Sequence, residues 1–102
     1  LVTTKRKRYN QYAARTYTIT EKNGLHARPA AELVTIANKY SGDSWIRTDN
    51  MEINAKSIMG VLMLAATANK KLTILYKPKK EAEEFYKSLE YSLIDKVLRK
   101  AD

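Results

Sequence analysis

The chain has 102 residues, 44% apolar and 29% charged, with a formal net charge of +8, a size and balance that suit one soluble domain with one core. It has no cysteine and one histidine, which excludes disulfides, thiolate chemistry and Cys-ligated metals; no cofactor or metal is expected, and a reducing compartment fits. No apolar run is long enough to span a bilayer and no apolar h-region opens the chain, so membrane insertion and an intact secretory signal are not expected and a cytoplasmic location is.

The charge is uneven. Residues 1–16 hold Lys5, Arg6, Lys7, Arg8 and Arg15 and no acid, which leaves +3 on the remainder. Residues 1–14 show neither helical nor strand periodicity, so they read as a flexible basic arm before a folded domain over 15–102. The first residue is Leu1, which fits a processed or expressed piece. Thr16–Thr20 is β-branched and aromatic, a strand, and Asn23-Gly24 is a turn.

Ala30, Leu33, Val34 and Ala37 follow the apolar spacing of a helix, with Pro29 placed where a first turn tolerates it. That helix should start near His26–Ala27 and end near Tyr40–Ser41. Ser44–Thr48 and Met51–Ala55 read as a hairpin across Asp49-Asn50. Ser57 is an N-cap candidate for a second helix from Ile58 to about Ala66. Leu72–Tyr76 is a fourth strand, closed by Pro78. A third helix starts at Glu81, with Ala82, Phe85, Leu89 and Leu93 on one face. Its acids (Glu81, Glu83, Glu84) open it and its bases (Lys96, Arg99, Lys100) lie near its end, matching the helix dipole. The order βαββαβα, with three helices covering one face of one sheet, predicts a two-layer, open-faced α+β sandwich.

Two places suggest chemistry. His26 stands at or just before a helix start, where unpaired N–H groups and the dipole favour anions. A phosphate on its ring would meet those N–H groups and the guanidinium of Arg28. Against this stands the plain surface histidine, the ordinary role of a lone His at a helix start. The second place is Ile58–Ala66, apolar all round. With Val61, Leu64 and Ala68 packed inward, Ile58, Met59, Leu62 and Met63 form an exposed apolar patch, unless the helix is wholly buried. Methionine suits a surface that must fit several partners.

Gly24-Leu25-His26-Ala27-Arg28-Pro29-Ala30 closely resembles the active-site motif of HPr, the histidine-containing phosphocarrier of the bacterial sugar phosphotransferase system. Asn54-Ala55-Lys56-Ser57-Ile58-Met59-Gly60-Val61 resembles its second signature. The resemblance covers about residues 15–94. It implies an antiparallel sheet in order 1-4-2-3, and a monomeric carrier rather than an enzyme. That carrier takes a phosphoryl group from enzyme I, which draws it from phosphoenolpyruvate, and passes it to IIA domains of sugar permeases. By motif position His26 holds the phosphoryl group and Arg28 stabilises it. Ser57 matches the serine that an ATP-dependent HPr kinase phosphorylates in many Gram-positive bacteria, and Ile58, Met59, Leu62 and Met63 match the partner-docking patch.

The chain departs from the family at Asn50, Ala65, Asn69 and Pro78, where glycine is common, and in its basic arm and long C-terminal helix, which leave room for a specialised paralogue or an excised domain. An alternative function is an HPr-like regulatory binding module acting through Ser57 and the apolar patch. A nucleic-acid binder ranks last, because much of the charge sits in the arm and no RNA-binding aromatic signature is present.

Overall fold

A computed structural model describes residues 9–49, 51–64 and 70–101. Strands β1 (Ala13–Ile19), β2 (Asp43–Arg47), β3 (Glu52–Asn54), β4 (Lys71–Lys77) and β5 (Leu98–Lys100) form one sheet in the order β3-β2-β4-β1-β5. Every pairing is antiparallel. The expected 1-4-2-3 sheet is there, with a fifth strand added beside β1. Helices α1 (Ala27–Lys39), α2 (Ile58–Met63) and α3 (Ala82–Leu93) pack on one face, α1 against both of the others.

Alternation explains the layers. Tyr17 and Ile19 of β1, Ile46 of β2, Ile53 of β3 and Leu72, Ile74 and Tyr76 of β4 are buried beneath the helices, as a one-sided antiparallel sheet requires. The helices answer with Ala30, Leu33, Ile36 and Ala37 of α1, Val61 of α2, and Ala82, Phe85, Leu89 and Leu93 of α3. Phe85 stacks on Tyr76 at 4.5 Å between centroids. Gly42 is needed beside that pair: a Cβ there would lie 2.1 Å from the Tyr76 ring.

Two boundaries differ from expectation. The arm does not extend to residue 14: a 3-10 turn occupies Tyr9–Gln11, and β1 starts at Ala13 rather than Thr16. Tyr12 is buried, and its hydroxyl donates to Asp43. Propensity misses this because a short segment is ordered here by one aromatic latch, not by periodicity. The third helix also stops earlier. It ends at Leu93, and Asp95 takes a left-handed φ of 67°, which Asp tolerates. The chain then doubles back, so Arg99 and Lys100 lie on β5 and Lys96 in the turn before it. The second helix, expected to about Ala66, ends at Met63 with Leu64 as its C-cap; residues 65–69, with Ala65, Ala68 and Asn69, lie outside the described residues, as does Asn50. Pro78 separates β4 from a 3-10 turn at Lys79–Glu81.

Candidate functional site

His26 is the N-cap of α1, with extended φ/ψ of −76° and −173° and no side-chain cap hydrogen bond. Its carbonyl accepts the Ala30 N–H at 3.0 Å, so the backbone closes the helix while the exposed ring stays uncommitted. The approach is fixed on both sides. Gly24 takes a φ of 69° and donates its N–H to the Glu21 carbonyl at 2.8 Å, a conformation that glycine adopts without cost. Leu25 before the histidine, and Pro29 and Ala30 after it, are buried.

The first turn of α1 has no acidic residue. Pro29 lacks an N–H, so Ala27 and Arg28 supply the orphan donors that face outward beside His26. Arg28 is exposed in the same turn. This end of α1 therefore offers a nucleophilic ring, two backbone donors and a guanidinium to an anion.

Ser57 caps α2 as expected, its Oγ accepting the Gly60 N–H at 3.0 Å. Val61 is buried and Leu64 partly so, while Ile58, Met59, Leu62 and Met63 are 39%, 65%, 40% and 49% exposed. The helix is thus two-sided, and its outer face is an apolar patch. Among the described residues no hydrogen bond or ion pair joins His26 or Arg28 to Ser57. Asn38 of α1 instead ties that helix to the turn before α2, its Nδ2 donating to the Val34 carbonyl of its own helix at 2.9 Å and to the Lys56 carbonyl at 3.1 Å. Asn54 shapes the same turn by accepting the Lys56 N–H at 2.9 Å. Asn38 escaped the sequence reading because a polar residue on an outer helical position carries no periodic signal. Among the described residues no group of three or more His, Cys, Asp or Glu could hold a metal, and no helix is long and apolar enough to cross a membrane.

A one-sided antiparallel sandwich that frees a histidine ring at a helix start has the build of a small phosphoryl carrier. The sequence model for the PTS HPr component phosphorylation site matches residues 13–92, and the chain belongs to the HPr family of phosphocarrier proteins. It is 39% identical over 70 residues to the HPr-like protein Crh of Bacillus subtilis, covering 69% of this chain and 82% of that protein. It is 50% identical over 50 residues to the phosphocarrier protein HPr of Xylella fastidiosa, covering 49% of this chain and 56% of that one. HPr-C-His from Thermoanaerobacter tengcongensis superposes with a TM-score of 0.72 at 38% identity, over 81% of this chain and 91% of that one.

Proposed function

We propose that His26 is the phosphoryl-carrying residue and that enzyme I, charged by phosphoenolpyruvate, is its donor. A neutral ring nitrogen attacks phosphorus; the N–P bond forms as the donor's bond to phosphorus breaks, and the imidazole proton leaves to solvent. Arg28 and the N–H groups of Ala27 and Arg28 offset the incoming charge. The reverse arrangement, with a IIA domain as acceptor, discharges the carrier. The observation that supports this most directly is the N-cap geometry: His26 is held by its backbone while its ring caps nothing. The patch of Ile58, Met59, Leu62 and Met63 is the docking face, and a phosphate on Ser57 regulates it.

The test is incubation with phosphoenolpyruvate and enzyme I, followed by intact-mass measurement. One acid-labile, alkali-stable phosphoryl group is expected, and none in His26→Ala. A His26→Ala chain that still accepts phosphate from enzyme I would sink the assignment.

The similarity to Crh, an HPr-like protein, favours a second reading in which the chain is a regulatory module working through Ser57 and the patch. Failure of the intact chain to accept phosphate from enzyme I, with phosphorylation at Ser57 by an HPr kinase, would select it.

A further inference from the structure

Sulfur in this chain is confined to methionine: there are three, and no cysteine. Two of the three stand together. Met59 and Met63 are one helical turn apart on α2 and are 65% and 49% exposed, and at that spacing their side chains are neighbours. The third, Met51, precedes β3, is half-buried and packs against the core, and its carbonyl accepts the Thr48 N–H at 2.9 Å. Helix α2 does not depend on the two exposed thioethers for anchorage. Gly60 and Val61 are its buried residues, and the Ser57 hydroxyl caps its start.

An exposed thioether is open to oxidation by peroxide, and its sulfoxide is polar and can be reduced again. The reaction is a two-electron step. The sulfur lone pair attacks one oxygen of hydrogen peroxide, the O–O bond breaks and an S–O bond forms. The proton on the transferred oxygen passes to the departing hydroxide, which leaves as water. Sulfur is oxidised and peroxide is reduced. With no cysteine in the chain, no thiolate competes for the oxidant.

The position of the pair decides the effect. Ile58, Met59, Leu62 and Met63 form the exposed apolar patch, so two sulfoxides turn half of its side chains into hydrogen-bond acceptors. In the free chain those oxygens meet water, and the fold bears little cost. Against the apolar surface of a docked protein each must give that water up, which costs free energy unless a donor replaces it.

We propose that Met59 and Met63 are a modification site, a peroxide-sensitive pair whose conversion to sulfoxide closes the α2 patch to its partners while leaving His26 and the fold intact. The effect on transfer rests on the patch being the docking face for enzyme I. A methionine sulfoxide reductase resets the site.

The experiment measures full-length wild type, Met51→Leu, and Met59→Leu combined with Met63→Leu, each before and after limited hydrogen peroxide treatment, so that each chain is its own reference. Intact mass and peptide mapping count and place the added oxygens, about 16 Da apiece. Wild type is expected to gain oxygen at Met59 and Met63 ahead of Met51 and to keep its cooperative melt. Its KM as a substrate of enzyme I should rise about tenfold with kcat little changed. Phosphorylation of His26 by phosphoramidate, a small donor that needs no docking face, should run at the same rate before and after. Met51→Leu should show the same rise in KM on treatment, and the combined variant none. An untreated Leu62→Asp chain reads the docking face separately. If Leu62→Asp raises KM while a folded wild type oxidised at Met59 and Met63 keeps its own, the inference falls and the docking face stands. If neither moves KM, the docking face falls and the inference with it. An equal rise in the treated combined variant places the sensitivity elsewhere and also overturns the inference.

Discussion

The Tyr17 hydroxyl donates to Glu90 Oε2 at 2.6 Å, joining β1 to α3 across the core boundary. Arg15 Nη1 donates to the same oxygen at 3.0 Å, and its Nη2 meets Glu83 at 2.9 Å. The guanidinium also sits 4.6 Å from the Tyr86 ring centroid. One carboxylate thus gathers β1, α3 and, through Lys100, β5.

Burial pushes the Glu90 carboxyl up, but the Tyr17 hydroxyl, Arg15 and Lys100 outweigh it and hold the group below its ordinary value of 4.5. A carboxyl held low in the folded state stabilises the fold above the unfolded value, and that contribution is lost as pH falls through the folded one. Melting temperature should therefore drop on acidification below about pH 4.5, and Glu90→Gln should flatten that acid limb. Near neutral pH the same substitution should lower stability by about 1 kcal/mol, a shift of roughly 4–8 °C. An acid limb identical in wild type and Glu90→Gln would show that the network does not govern acid stability.

The opposite limb belongs to tyrosines. Burial pushes up the hydroxyls of Tyr12, Tyr17, Tyr76 and Tyr86, and Asp43 and Glu90 add to this at Tyr12 and Tyr17. Groups whose folded values are raised stabilise the fold below the unfolded value, 10.0 here, and stop doing so as pH rises. Stability should fall above about pH 10, with the tyrosinate absorbance of these four hydroxyls appearing at the unfolding step rather than before it. Tyr17→Phe should weaken that alkaline limb. Smooth titration of all seven tyrosines in a chain that remains folded would refute this.

Tyr12 gives the third prediction. Asp43 accepts from the Tyr12 hydroxyl and from Trp45 Nε1 at 3.0 Å, and Lys77 Nζ lies 5.3 Å from the Tyr12 ring centroid. Tyr12→Phe keeps the ring and loses the donor, at a cost of about 1 kcal/mol. Tyr12→Ala loses the buried ring as well and should cost about 3–5 kcal/mol if the site behaves as core, less if it collapses. Chemical denaturation of both variants checks the order wild type, Phe, Ala; equal midpoints would show that the segment before β1 contributes nothing.

These contacts also mark where the sequence was legible. Elements with a strong period or a cap were readable: α1 from its apolar stripe and Pro29, α2 from Ser57, and the burial of Phe85 and Leu89 from their spacing. His26 could be placed at a helix start from Gly24 and Pro29 alone, and the patch on α2 followed from a helix too apolar for two layers. The misses share a cause. Tyr12 is ordered by Asp43, 31 positions away, and β5 by Thr16–Thr20 and Glu90. Such long-range pairs leave no local period. Lys96, Arg99 and Lys100 matched a helix dipole while belonging to the turn and strand that follow Asp95.

Ser57 is where stability and function should separate. Its Oγ satisfies the Gly60 N–H, and losing such a cap in Ser57→Ala should cost about 0.5–2 kcal/mol. The same hydroxyl adjoins Ile58 and Met59, the start of the exposed patch. A phosphate there would add roughly two negative charges beside apolar surface. A partner docking on the patch must then desolvate that charge or meet it with a cation, and an acidic partner surface would be repelled. Ser57→Asp retains a capping oxygen, so it should keep the fold and slow phosphoryl transfer from enzyme I. Ser57→Ala should melt earlier and transfer at nearly the wild-type rate. Thermal melts and transfer rates measured on both variants separate cap from regulator. If Asp and Ala transfer at equal rates, Ser57 is a helix cap and nothing more.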